Sequence, residues 1–270
     1  MFANYHTHTF RCHHATGTER EYIERAIQNG VRILGFSDHA PHLFPKGKED
    51  CPPISTSRMA ASELADYCTV LTDLKREYAG QIELHIGLEM EYFPELFRLE
   101  LDWMRDYPIE YLLLGQHWLH MQPQLPWCGA TTDDEAKLNA YVDQTTEALE
   151  TGCFTYFAHP DLVHYIGPSE IYHRAITRLC KTARRLNIPL ELNLLGLTEH
   201  RAYPNAQFWP IVRETGCTVV IGCDAHNPDA VANPDILRRA QDYLAQFGLT
   251  AADAVPLRSP FRPDNTSTPL

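Results

Sequence analysis

Residues 81–90 read QIELHIGLEM and are followed by Glu91. Successive side chains of an extended segment point to opposite faces. Leu84, Ile86, Leu88 and Met90 therefore share one face, and His85, Gly87, Glu89 and Glu91 share the other. The apolar face predicts packing against helices. A face of imidazole, glycine and carboxylate in a buried strand is costly unless its groups are paired or coordinated. This segment, the third strand, is thus expected to deliver Glu89 to a shared polar site.

Similar endings recur along the chain. Strands are predicted at residues 2–6, at VRILGFSD (31–38), at IEYLLLGQH (109–117), at CFTYFAH (153–159), at IPLELNLLG (188–196) and at CTVVIGCDAH (217–226). They close with His6 and His8, with Asp38 and His39, with His117, with His159, and with Asp224 and His226; the sixth strand offers Glu191 and Asn193. Helices are predicted between them: from Glu19 to a stop at Gly30, over 58–79 behind a Ser57 cap, after Pro94, from near Asp133, from a Ser169 cap to near Asn187, after Pro204, and over 234–247. Alternating strands and helices imply a parallel sheet with right-handed crossovers. Functional groups in such folds gather at the C-terminal ends of the strands. In an open sheet the outer strand ends are too far apart to share one site, whereas a closed barrel brings them to one mouth. Six of seven strands ending in a metal-ligand type of residue therefore favours a barrel.

A chain of 270 residues suits one α/β barrel. The formal charge is 23 − 35 = −12, which argues against a nucleic-acid or anionic-membrane binder. No apolar run reaches the ~18 residues of a membrane span, and no basic segment precedes an apolar one at the N-terminus. Eight cysteines (Cys12, Cys51, Cys68, Cys128, Cys153, Cys180, Cys217, Cys223) form no C-x-x-C pair and read as reduced, mostly buried thiols of a cytoplasmic protein. Residues 1–255 are expected to form the barrel, and 256–270, rich in Pro, Ser and Thr, a loosely held tail.

The ordered segments HTHT, CHHATG, FSDHAP, GLEMEYFPE, LLGQH, FAHPDL and IGCDAHNP resemble the PHP (polymerase and histidinol phosphatase) superfamily from residue 6 to residue 228. Within it, FSDHAP followed by GLEMEYFPE is most similar to the monofunctional histidinol-phosphatase branch, while LLGQHWL and the short loop GLTEHRAYPN depart from it near the expected substrate pocket. The resemblance implies a distorted (β/α)7 barrel, a single domain with two or three divalent ions at the C-terminal mouth. His6, His8, Glu89 and Asp224 would hold the first ion; Glu89 would bridge to a second, completed by His117 and His159; His14, His39 and His226 would hold the third. His14 rather than His13 occupies the C-x-H-A position. This mixed nitrogen and oxygen set suits zinc, iron or manganese.

The implied activity is hydrolysis of L-histidinol phosphate by attack of a metal-bound hydroxide, with a small phosphorylated substrate as the partner. Asp224, His226 and Arg201 are the expected catalytic residues, Arg201 as a phosphate contact. Glu91, Tyr92, Trp118 and His42, with Phe93, are expected near the substrate. A PHP phosphoesterase for another small ester or a nucleotide is the alternative. A catalytically silent metal-binding or regulatory module is disfavoured because all nine ligand positions are filled. The sequence leaves the oligomeric state open.

Overall fold

Short apolar strands separated by amphipathic helices have one economical solution, a sheet covered by helices on its outside. In the computed structural model, which describes residues 2–43, 57–120 and 127–261, that sheet curls into a barrel. Its seven strands are β1 (Ala3–Asn4), β2 (Ile33–His39), β3 (Glu83–Met90), β4 (Tyr111–Leu114), β5 (Phe154–Phe157), β6 (Leu190–Asn193) and β7 (Val219–Gly222), paired in chain order and all parallel. The seam closes just above β1 and β7. Thr7 bridges Ala225, the His8 N–H donates to Ala225 O at 3.0 Å, and the Ala225 N–H donates to His6 O at 3.3 Å. The ring is distorted by a register shift at Leu112/Leu113 and by a single registered pair, Phe157↔Leu190, between β5 and β6. This is the barrel the strand endings favour, in the distorted (β/α)7, single-domain form that the family resemblance implies.

The helices are α1 (Glu19–Gln28), α2 (Leu64–Glu77), α3 (Pro94–Met104), α4 (Glu135–Glu150), α5 (Ser169–Arg185), α6 (Leu194–Glu199), α7 (Phe208–Thr215) and α8 (Pro234–Gln246). Their apolar stripes face the strands; α5 buries Tyr172, Ala175, Ile176, Leu179 and Ala183, the spacing of one helical face. Two expected caps differ. Arg58 and Met59 are drawn into the interior, so 58–60 stay non-helical and α2 begins only at Leu64, leaving Ser57 capping nothing. Ser169 is the first helical residue of α5, behind Pro168.

Inside the barrel the period of two separates layers. Tyr111 and Leu113 point inward with Tyr5, Tyr156 and Val220, while Leu112 and Leu114 point out to the helices. Tyr111 fills the barrel axis because Gly35 and Gly87 leave it room: a Cβ at either would fall within 2.4 Å of its ring or hydroxyl. This aromatic plug closes the barrel below and makes the polar layer above it a floor-backed cup.

Cys51, with the rest of residues 44–56, and residues 121–126 lie outside the described residues. The seven other cysteines are buried and unbridged. Of the segment read as a tail, 256–261 is described. There the Arg258 N–H donates to Thr155 Oγ1 at 3.0 Å and its guanidinium to Leu186 O at 2.6 Å; 262–270 lie outside the described residues. Among the described residues no helix is long and apolar enough to cross a membrane.

Candidate metal centre

Above the tyrosine layer the seam sets the first three groups. The Thr7–Ala225 bridge turns His6 and His8 inward beside Asp224. Strand pairing then brings the others: His39 on β2 is registered against Glu89 on β3. Glu89 is the hub. Its Oε2 lies 3.6 Å from His6 Nε2, 3.6 Å from His8 Nε2 and 2.9 Å from His39 Nδ1. Its Oε1 lies 2.8 Å from His159 Nε2 and 3.7 Å from His117 Nε2. Glycine again makes the space, since a Cβ at Gly115 would sit 1.9 Å from Glu89 Oε1. His159 and Asp224 have φ of 33° and 48°, a left-handed backbone that side-chain-bearing residues adopt only when their surroundings impose it.

Nearer the rim, His14 Nε2 meets His226 Nε2 at 3.0 Å, and the two rings stack at 4.6 Å. Backbone carbonyls hold both from behind, Cys12 O on His14 Nδ1 at 2.7 Å and Asp224 O on His226 Nδ1 at 3.0 Å. The potential ligand atoms of His14, His39 and His226 lie within 4.8 Å of one another, as do those of His6, His8 and Glu89, of His6, His159 and Asp224, and of His39, Glu89 and His117. All nine side chains expected as ligands are thus brought together, and His13, exposed at the end of a 3-10 turn, belongs to none of these sets. Cys12, which the sequence reading does not single out, lies within the same range of His8 and His226.

Three carboxylates stand behind the cluster. Glu191 Oε1 lies 2.8 Å from His6 Nδ1, Asp38 Oδ1 3.6 Å from His8 Nδ1, and Glu91 Oε1 3.4 Å from His117 Nδ1. The Glu191 hydrogen bond fixes which nitrogen of His6 is free to coordinate, and the two longer contacts face His8 and His117 from the same side. Glu191 is itself held by Tyr156 Oη, the His159 N–H and Asn193 Nδ2, over Gly222, where a Cβ would fall 1.7 Å from Glu191 Oε1. Its inward position on the sixth strand is visible in the sequence; its orienting role is not.

The electrostatics fit a cation. His6 Nε2, His8 Nε2 and Glu89 Oε2 are buried without a hydrogen bond, an expensive arrangement for polar atoms that converge on one another. Burial pushes the Glu89 and Asp224 carboxyls up, yet the surrounding imidazoles hold both well below the usual carboxylate range. Burial pulls His8 down, but Asp224 and Asp38 outweigh it and raise it to about 9. Desolvation and the neighbouring charged His8 lower His39 to about 3. Asp224 and Asp38 thus hold a proton on His8, and a divalent ion would satisfy the same carboxylates and free that imidazole to bind it.

A cavity of about 970 Å³ opens over the cluster. Arg201 and Trp118 line it, as expected, with His14, His39, His117, Asp224 and His226. Four residues expected near the substrate, Glu91, Tyr92, Phe93 and His42, are elsewhere. Tyr92 is buried in the outer core with its hydroxyl donating to Glu147 Oε1 at 2.7 Å. Glu91 is buried behind His117 and receives Arg58 at 2.7 Å. His42 is wedged between Glu91 and Glu100, its ring edge-on to buried Phe93. The strand ends at Met90, so the alternation no longer governs residues 91–93. Sequence reasoning missed Arg58, Trp127, Glu199 and Tyr203, which also line the cavity. Tyr203 packs on His159, and its Oη lies 2.9 Å from Arg201.

A probable histidinol-phosphatase of Deinococcus radiodurans is 30% identical over 237 residues, covering 84% of this chain and 86% of that protein. The histidinol-phosphatase of Bacillus subtilis is 37% identical over 91 residues, 33% of each chain. The fold matches the crystal structure of histidinol phosphate phosphatase from Lactococcus lactis, complexed with zinc, L-histidinol and phosphate, with a TM-score of 0.71, 16% identity, and coverage of 96% of this chain and 97% of that one. The family model of the PHP domain matches residues 4–194, and the chain belongs to the PHP domain family.

Proposed function

We propose that this protein is a metal-dependent phosphomonoesterase that hydrolyses L-histidinol phosphate to L-histidinol and phosphate. The observation that carries the reading is the convergence of nine ligand-type side chains, several with orphaned buried atoms and five of them lining one cavity. The histidinol-phosphatase names of its relatives support the substrate. His6, His8, Glu89 and Asp224 would hold one divalent ion, Glu89 with His117 and His159 a second, and His14, His39 and His226 a third; zinc, iron and manganese suit these donors. Such ions supply Lewis acidity that activates water near neutral pH and positive charge for a phosphoryl group.

The chain's own groups do the rest. Arg201 is presented to the cavity by Tyr203 Oη and by Glu199, at 2.9 Å and 2.7 Å, which fixes its guanidinium for a phosphate oxygen. Asp224 and His226 line the cavity edge, and their catalytic part would be to hold the ions beside which water and the phosphate ester are brought together. Trp118 and Trp127 offer an aromatic wall for an imidazole, and Glu199 a carboxylate for an ammonium group.

A different small phosphate ester is the second reading, favoured by the withdrawal of Glu91 and Tyr92 from the cavity. Turnover by metal-reconstituted protein across a panel of phosphate esters separates the two. Histidinol phosphate is expected to give the highest kcat/KM, and chelation to abolish it. Turnover of another ester with none of histidinol phosphate rejects the first reading.

A further inference from the structure

Glu100 is an anomaly. It lies on α3, is 0% exposed, and sits on the wall of the barrel rather than in the cavity. A carboxylate is rarely buried completely unless partners offset its lost hydration. Its Oε1 accepts the Leu43 N–H at 3.1 Å and faces His42 Nδ1 at 2.8 Å. The other nitrogen of His42 faces Glu91 Oε2 at 3.1 Å. Both ring nitrogens thus meet carboxylates, and only the imidazolium donates to both. Burial and Arg58 pull His42 down, but Glu100 and Glu91 prevail and raise it. Glu91 in turn receives Arg58 on Oε2 and presents Oε1 to His117 Nδ1 at 3.4 Å. His117 Nε2 points to Glu89. The side chains form one line, Glu100, His42, Glu91, His117, running from the helical wall to the cluster.

We propose that Glu100 and His42 are positioning residues, which hold Glu91 in the orientation that turns Nε2 of His117 toward the candidate metal centre. The inference rests on reading His117 as a metal ligand. It reassigns His42, whose two nitrogens are committed within the wall, from substrate contact to support. It also explains the buried charge: Glu100 and Glu91 are balanced by His42 and Arg58, so the line carries a fixed orientation without a net unpaired charge. His6 has a comparable support in Glu191, held by Tyr156 and Asn193. The His117 support differs in reaching across to a helix, and the same Glu100 oxygen ties down Leu43.

The test uses the full chain, stripped of metal and titrated with Zn²⁺ under chelator competition. Two variants, Glu100→Gln and His42→Gln, are compared with wild type and with Glu147→Gln, which removes the charge of a carboxylate outside the line. The expected result is selective: one Zn²⁺ equivalent is loosened about 10- to 100-fold, the usual effect of losing an outer partner of a ligand. The other equivalents stay within twofold of wild type, Glu147→Gln leaves all of them unchanged, and kcat falls more than KM changes. Unchanged Zn²⁺ affinities in either folded variant overturn the proposal. So does uniform loosening of every equivalent together with a lower Tm, because that is the mark of a merely structural role. If wild type fails to turn over histidinol phosphate, the proposed substrate falls, while the Zn²⁺ titration still decides the role of Glu100.

Discussion

The deep and outer parts of the cluster are built differently. At the bottom, His6, His8, Glu89 and His159 are buried, Glu89 lies against Gly115, and His6 is backed by a carboxylate that is itself held in place. At the rim, His14 is exposed, His39 and His226 are partly so, and His14 and His226 are steadied from behind by backbone carbonyls. The lesson is one of preorganisation. The deep groups have already met the cost of desolvation and orientation during folding, whereas the rim groups meet part of it when an ion arrives.

The strongest way to break this contrast is Glu89→Gln. It removes the oxygen charge shared by both deep sets, and turnover is expected to fall by more than ~100-fold, beyond the loss typical of an outer partner. Elemental analysis should find the deep ions missing; retention of full metal content would refute the hub. Next in size is Gly222→Ala, whose methyl would displace Glu191 from beneath His6. Metal affinity is expected to drop about 10- to 100-fold with the barrel still folded, read by chelator competition and circular dichroism. His14→Ala is expected to cost less and to release one ion while the deep ones stay bound. Loss of all ions together would erase the distinction between depth and rim.

The smallest effect concerns the opposite end of the barrel, where His85 Nδ1 meets Glu110 Oε2 at 2.8 Å. Burial raises Glu110, but His85, Lys75 and the Ile86 N–H outweigh it and lower it to about 2 from 4.5. Its contribution to stability is therefore present above pH 4.5 and is lost as pH falls toward 2. Burial lowers His85, but Glu110 and Glu83 raise it above 6.5 overall, so its contribution is complete below pH 6.5 and is lost as pH climbs through that raised value. The Tm difference between wild type and His85→Ala should peak between about pH 4.5 and 6.5 and shrink on either side. A difference independent of pH would assign the effect to packing. Turnover, measured at the far mouth, should not follow this profile.

The parts of the molecule legible in the sequence are those with short-range causes. Alternation along QIELHIGLEM sends Glu89 inward because a strand's period of two is a local property, and the x-H-x-H and D-x-H spacings behave likewise. Legibility stops where the strand stops. Tyr92 and His42 keep no memory of the alternation, and their final places depend on the wall formed by α3 and α4. Arg58 reaches the cavity from a stretch that starts no helix, and Glu199 from the end of α6, so neither position follows from local spacing. Gly115 and Gly222 stand plainly in the sequence, but the carboxylates they accommodate become visible only in three dimensions.

The seam at Thr7 and Ala225 has a consequence for how the protein assembles. His6 and His8 come from the first few residues and Asp224 and His226 from far down the chain, so these four groups meet only after the last strand has docked on the first. Contacts of such sequence separation form only after a large loop-closure entropy has been met. An ion gripping both sides of the seam would act as a clasp: it binds the closed ring and not the open one, and so favours closure by mass action. In chelator, the amides of His8 and Ala225, which hydrogen-bond across that seam, are where the ring would first breathe open to hydrogen exchange.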